Sequence, residues 1–329
     1  IILKQQGYEV IGATMKLLCD CNSSDSIHDA KKICEQLQIE HHILNCEQEF
    51  KTYVIDDFIN CYKNAITPNP CIECNKYLKF GVFYKKALEL KCDYIATGHY
   101  AKIEYLEKYN QYVLKKSEEE EKDQSYFLYG ISKDILPKII FPLQNIKSKE
   151  EIRKMAEQNN LFVARKKDSQ EVCFIPDNNY TKFLYENLTE QPRKGKIVLN
   201  NEQCVGEHNG LINYTIGQRK GLGVSYKEPL YVVKLDKDKN EVVVGTEQDL
   251  YCKQLMANEL NFVLDIDLSK PIEIYAKVRY RAKPAKAILE ILENGIAKVV
   301  FEQDQRAITK GQSVVFYIDD ILLGGGKIL

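Results

Sequence analysis

The feature that most constrains this chain is an alternation within its first third. Between Glu9 and Thr97, short β-branched apolar runs take turns with stretches whose apolar residues recur at helical spacing. The runs Glu9 to Met15, His42 to Asn45 and Asp93 to Thr97 read as strands. Between them, Ile27, Ala30, Ile33 and Leu37 mark one helix, Val54, Phe58 and Tyr62 a second, and Phe80, Tyr84, Ala87 and Leu88 a third. Ser26 with Asp29 gives the first of these a capping-box start, and Ser148 with Glu151 repeats the pattern for a helix reaching Asn159. Strands that alternate with helices predict an α/β fold with a doubly wound parallel sheet. Such sheets bind ligands at the carboxyl ends of their strands, which brings Met15, Thr97, Gly98 and His99 toward one crevice.

The texture changes near residue 190. Pro192 to Gly195 reads as a turn or linker. Short strand-like runs follow at Lys196 to Leu199, Leu230 to Leu235, Glu241 to Val244, Ile272 to Val278, Ala297 to Phe301 and Ser313 to Ile318. They predict small β-domains or a barrel. The chain opens on Ile1-Ile2-Leu3-Lys4-Gln5-Gln6-Gly7, the tail of a helix stopped by glycine, which predicts a sequence truncated at its N-terminus.

Composition excludes some functions. No apolar run approaches the about 18 residues that a membrane span needs, and no signal-peptide pattern is present. The formal net charge of -1 leaves any nucleic-acid contact to local basic patches. The 11 cysteines, an odd number along 329 residues, read as reduced thiols of a cytoplasmic protein. Cys34, Cys61 and Cys92 lie in apolar or helical settings and read as core. The acidic run Glu118 to Glu121 reads as a solvated loop.

Several segments carry possible chemistry. Thr67-Pro68-Asn69-Pro70 cannot lie inside a helix, and it presents Cys71 and Cys74 just before one. A helix start favours the thiolate of a nucleophile or sulfur carrier, while the same C-x-x-C spacing also suits half a metal site. Cys173 follows the polar run Asp168 to Glu171, as a core residue or at a site mouth. Gly98 permits close approach of a ligand, and His99 an anion or base contact. Lys122, Asp123 and Gln124 open either a helix or a polar contact. Arg219 and Lys220 sit in a glycine-rich loop suited to phosphates. Lys277, Arg279, Arg281 and Lys283, with Tyr280 among them, would share one face of a strand and form an RNA stripe.

Together the Pro-Asn-Pro-x-x-x-Cys-Asn loop, Ala-Thr-Gly-His-Tyr, Lys-Asp-Gln-Ser-Tyr-Phe, Cys-Phe-Ile, Tyr-Thr-Ile-Gly-Gln-Arg-Lys-Gly-Leu-Gly and Arg-Tyr-Arg resemble the tRNA-specific 2-thiouridylase family over essentially the whole chain. The resemblance implies an ATP-pyrophosphatase α/β domain over residues 1–188, a central tRNA-binding domain over 189–250 and a C-terminal β-barrel over 251–329. It also implies ATP with Mg2+, tRNA, and a cysteine desulfurase or sulfur-relay protein as persulfide donor. ATP would adenylate the wobble uridine, and sulfur carried as a persulfide on Cys173 would replace the AMP. Cys74 would release that sulfur by forming a disulfide with Cys173. Met15 and Gly98 match ATP-contacting positions, and Asn69, Pro70 and Cys71 the loop at the target base. His99, Lys122, Asp123, Gln124, Arg279, Tyr280 and Gln312 match tRNA-binding positions, and Arg219 of the glycine-rich loop is taken as a further tRNA contact.

The chain departs from the family twice. The Ser-Gly-Gly-x-Asp-Ser phosphate loop is absent, which predicts weak ATP binding and no release of pyrophosphate. Cys71 stands where many members have Asp, so Cys71, Cys74 and Cys173 together suggest an iron–sulfur alternative. A tRNA-binding fragment without ATP chemistry and a synthetase that activates a small molecule are the competing readings.

Overall fold

A computed structural model describes residues 1–18, 21–146, 148–165, 172–175 and 179–329. The polar run 168–171 lies outside them. Two units divide the chain. The first comprises Ile1–Ile55, Cys71–Phe174 and Asp320–Leu322, and the second Asp56–Pro70, Ile175–Asp319 and Leu323–Leu329.

The first unit is α/β. Its opening helix α1 (Ile2–Gln5) ends as the sequence predicts, with Gly7 at φ 86°. Tyr8 N–H donates to Leu3 O and Gly7 N–H to Lys4 O, the paired bonds that close a helix C-terminus. Strand β1 (Gly12–Lys16) begins later than the predicted Glu9. Helix α2 (Cys21–Leu37) begins earlier than the predicted cap, so Ser26 is a helix-interior residue. Strand β2 (His41–Asn45) pairs with β1 in parallel, Gly12 opposite His41 and Lys16 opposite Asn45.

Helix α3 (Glu47–Phe50) continues as a π-helix over Lys51–Ile55, and α4 (Asp56–Lys63) belongs to the second unit. Helix α5 (Pro70–Glu73) leads into a π-helix over Cys74–Val82, then α6 (Phe83–Glu89). Strand β3 (Ile95–Ala96) pairs in parallel with a later strand, Ile139–Ile140. Between β1 and β3 lies a mostly apolar cavity of about 570 Å³, lined by Val10, Ile11, Leu44, Phe83, Leu90 and Ile95 among others.

A hairpin absent from the sequence reading follows: β4 (Lys102–Leu106) and β5 (Gln111–Lys115), with Lys102 and Lys115 both on Glu104 at 2.6 and 2.8 Å. The strand at Ile139–Ile140 is β6. Helix α7 (Lys149–Gln158) has the predicted cap, since Ser148 Oγ accepts from Glu151 N–H at 3.2 Å. Gln36 of α2 donates to the carbonyls of Asn159 and Asn160 beyond its other end.

In the second unit, helix α8 (Tyr180–Asn187) is capped by Asn179. Next come β7 (Gly195–Leu199), β8 (Cys204–His208), β9 (Tyr231–Asp236) and β10 (Glu241–Gly245), ordered β8-β7-β10-β9. Ile197, Val232, Val242 and Val244 face Tyr214, Leu222 and Leu230 in their core. The last segment supplies β11 (Tyr251–Phe262), β12 (Ile272–Lys277), β13 (Ala285–Ile291), β14 (Ala297–Arg306), β15 (Ser313–Ile318) and β16 (Ile321–Ile328). Their order is β11-β14-β13-β12-β15-β16, and pairing of β11 with β16 closes a barrel. Closure is tight: a Cβ at Gly324 would lie 2.2 Å from Asn261 O, so only glycine fits there. No helix among the described residues is long and apolar enough to cross a membrane.

Candidate active site

The first unit gathers Cys71, Cys74 and Cys173, all free thiols. Pro70 occupies the first helical position, where its missing N–H costs nothing, and Cys71 follows it. Cys74 opens the π-helix. This departure from α geometry matters. Five residues along an α-helix lie about 140° round the axis. A π-helix closes its hydrogen bonds on i+5, so the fifth residue returns near the same face. Lys79, five residues after Cys74, is thereby brought to the thiols, and its charge acts on all three.

The electrostatics reverse one sequence expectation. A helix start was expected to favour the thiolates, but burial outweighs it. Burial is the leading cause at each sulfur and pushes Cys74 up to about 12, with Lys79 pulling down and the neighbouring Cys173 and Cys71 pushing further up. Cys71 and Cys173 are also raised, again first by burial, and Lys79 opposes the rise at both. Both residues retain accessible surface even though protein crowds their sulfurs. They are thus reachable thiols, protonated at rest.

Lys79 Nζ lies 3.5 Å from His99 Nε2, and His99 Nδ1 lies 2.8 Å from Thr97 Oγ1. An ammonium only donates, so Nε2 accepts and the ring proton sits on Nδ1, donated to Thr97. His99 is 8% exposed and packs between Phe80 and Phe141, each 5.7 Å away. Burial, then the Lys79 charge, depresses it to about 3, so the ring is neutral. His99, expected at tRNA, thus lies between Thr97 and Lys79 and is mostly buried. Sequence reading missed Lys79 because no α-helical periodicity links it to Cys74. It also passed over Asn75, buried with its Nδ2 on Phe127 O at 3.2 Å and its Oδ1 unpartnered.

In the segment Lys122 to Gln124, Asp123 is buried and its two neighbours are half-buried. The Asp123 carboxylate accepts from Ser117 N–H, Ser125 N–H and Ser125 Oγ–H, which ties down the base of the acidic loop. Gln124 exchanges two bonds with Tyr100, its Oε1 accepting from Tyr100 N–H and its own N–H donating to Tyr100 O. Lys122 pairs with Glu119 at 2.7 Å. Met15 is half-buried next to the last residue of β1, and Gly98 is exposed beyond the end of β3. A Cβ on Gly98 would meet only Leu143 Cδ1, at 3.8 Å, so the protein leaves space there.

In the second unit, Thr67 N–H donates to Lys310 O, and Gln312 Nε2 donates to Thr67 O at 3.1 Å and Pro68 O at 3.0 Å. Gln312, expected at tRNA, therefore holds the loop that carries Asn69 and Pro70. Arg219 is exposed in the glycine-rich loop. The expected basic strand is corrected: β12 stops at Lys277, which is 8% exposed, and the chain turns from Val278 to Pro284. Arg279, Arg281, Lys283, Lys286 and Arg306 nevertheless line one hollow of about 780 Å³. Arg279 also donates to Arg306 O and Ala307 O at 2.9 and 2.6 Å, and Lys277 Nζ lies 5.7 Å from the ring centre of Tyr280. Among the described residues no group of three or more His, Cys, Asp or Glu is arranged to hold a metal ion.

A parallel α/β unit with a thiol cluster, a small β-domain and a closed barrel define a multidomain α/β-plus-barrel class of protein. Residues 1–177 match the family described as the tRNA methyl transferase HUP domain, 181–246 its PRC-barrel domain, and 252–328 the aminomethyltransferase beta-barrel domain. The chain is 44% identical to the tRNA-specific 2-thiouridylase MnmA of Halothermothrix orenii, over 99% of this chain and 94% of that protein. It is 45% identical to the protein of the same name from Acetivibrio thermocellus, with the same coverage. It is 47% identical to tRNA-specific 2-thiouridylase MnmA 2 of Clostridium botulinum strain Langeland, over 99% of this chain and 93% of that one. The chain belongs to the tRNA-specific 2-thiouridylase family.

Proposed function

We propose that this protein is a tRNA-uridine 2-sulfurtransferase that thiolates the wobble uridine of tRNA at the expense of ATP. The observation that carries this reading is the grouping of the free thiols Cys74 and Cys173, with Cys173 felt at Cys74 and the Lys79 charge felt at both. Cys173 takes the role of persulfide carrier, loaded by a cysteine desulfurase or relay protein. Its outer sulfur bonds to C2 of the activated uridine as AMP leaves. The Cys74 thiolate then attacks the Cys173 sulfur, which forms a disulfide and leaves the outer sulfur on the uridine. An external thiol returns two electrons to reopen the disulfide. Asn69, Pro70 and Cys71 serve the target base, and Arg219, Arg279 and Tyr280 the tRNA. His99, Lys122, Asp123, Gln124 and Gln312 are the other positions assigned to tRNA contact. The same reading divides the chain at 1–188, 189–250 and 251–329.

Bound ATP, with Mg2+, supplies activation of the C2 oxygen. Met15 and the open space at Gly98 fit its adenine side. The second reading is a tRNA binder without ATP chemistry. Thiolated-tRNA gel mobility tests the first. Cys173→Ser should abolish thiolation and leave tRNA affinity intact, because a hydroxyl cannot carry a persulfide. Normal thiolation by that variant would end the assignment, and a wild-type chain that binds tRNA but never releases pyrophosphate would favour the second reading.

A further inference from the structure

The thiol cluster poses an electrostatic problem. Sulfur chemistry proceeds through thiolates, yet burial, with repulsion from neighbouring thiols at Cys74 and Cys173, holds all three thiols protonated. Among the described residues, Lys79 is the one group that opposes this at Cys71, Cys74 and Cys173 alike. It is built into place from both sides. The π-helix from Cys74 returns Lys79, five residues on, to nearly the same face as Cys74. The neutral His99 ring, fixed by Thr97 and wedged between Phe80 and Phe141, accepts one of its protons. No carboxylate pairs with Lys79 among the described residues, so its charge is not spent elsewhere.

We propose that Lys79 is a positioning residue for sulfur transfer, an ammonium clamped by the Thr97–His99 pair that stabilises the sulfur anion as it forms on Cys74 and its neighbours. The inference rests on the reading of Cys74 and Cys173 as the sulfur-handling pair. The neutral imidazole suits the task because it orients the ammonium without cancelling its charge. A carboxylate in the same place would hold Lys79 more strongly and hide it from the thiols.

The test reads thiol reactivity in the resting protein, without tRNA or ATP, so it stands or falls apart from the thiolation assay. The full chain is labelled with iodoacetamide at about pH 8, and each cysteine is followed by mass spectrometry. Loss of one nearby charge lowers the thiolate fraction about tenfold. The more basic thiolate regains about threefold in nucleophilicity. Lys79→Gln should therefore label Cys71 and Cys74 about threefold more slowly. Lys79→Arg, which keeps the charge, should stay near the wild-type rate. Cys204 and Cys252, exposed in the second unit, should label equally in all proteins. Unchanged labelling of Cys71 and Cys74 in Lys79→Gln would overturn the proposal. So would Lys79→Arg as slow as Lys79→Gln, since that pattern means packing rather than charge. Should Lys79→Gln also expose the buried Cys34 and Cys46, Lys79→Met, which retains an apolar stem, carries the same comparison.

Discussion

Acidification should loosen the first unit through His99. Its ring is 8% exposed, and burial followed by the Lys79 charge lowers it from 6.5 to about 3. Between those values the unfolded chain binds a proton that the folded chain refuses. Stability from this group is therefore complete above about pH 6.5 and falls as pH drops, until the folded ring itself protonates near about 3. At about pH 5 the gap is about 1.5 units, or about 2 kcal/mol. His99→Gln keeps a polar side chain and has no such titration. His208, also buried and lowered, titrates in both proteins and cancels in the comparison. Because the chain has two units, the assay should read the first alone. Hydrogen exchange of peptides covering residues 74–82 and 95–100, corrected for intrinsic rates, does so. Between about pH 7 and 5 the wild type should lose about 30-fold more protection than His99→Gln. Equal losses, or an imidazole resonance of His99 titrating near 6.5, would refute the reasoning.

The other expectations concern the second unit. Gly311 has φ 86°, and a Cβ there would lie 2.0 Å from Ile66 Cγ2 and 3.0 Å from Thr67 O, so Gly311→Ala should destabilise by about 2–3 kcal/mol and displace the Thr67 to Pro70 loop. A calorimetric Tm equal to wild type would count against that packing. Arg219→Ala should weaken tRNA binding and lower the slope of log affinity against log salt by about 1 with no change in Tm, and an unchanged slope would remove Arg219 from the phosphate surface. Arg279→Ala should cost Tm as well as affinity, since its guanidinium also satisfies the carbonyls of Arg306 and Ala307. Loss of affinity at constant Tm would show those bonds to be dispensable.

Local rules carried far in this chain. The Gly7 stop, the Ser148 cap, the strand at Ser313 to Ile318 and the β-rich second half were legible because turn chemistry, capping and alternation act over a few residues. The thiols were legible as chemistry because prolines beside C-x-x-C leave few structural readings. Other features depended on distant partners. β11 (Tyr-Cys-Lys-Gln-Leu-Met-Ala-Asn-Glu-Leu-Asn-Phe) and β13 carry good helix formers, and β16 carries Gly324 to Gly326, so their intrinsic preferences oppose a strand. They become strands because the barrel supplies a hydrogen-bonded neighbour along each edge. The partners of His99, Asp123, Gln124 and Gln312 were also undecidable locally: each is a polar residue whose partner is fixed by packing. Lys79 shows the limit most clearly. Its identity is in the sequence, but its place beside Cys74 depends on a π-helix, and only tertiary packing selects that helix over the α-helix that would have turned the charge away.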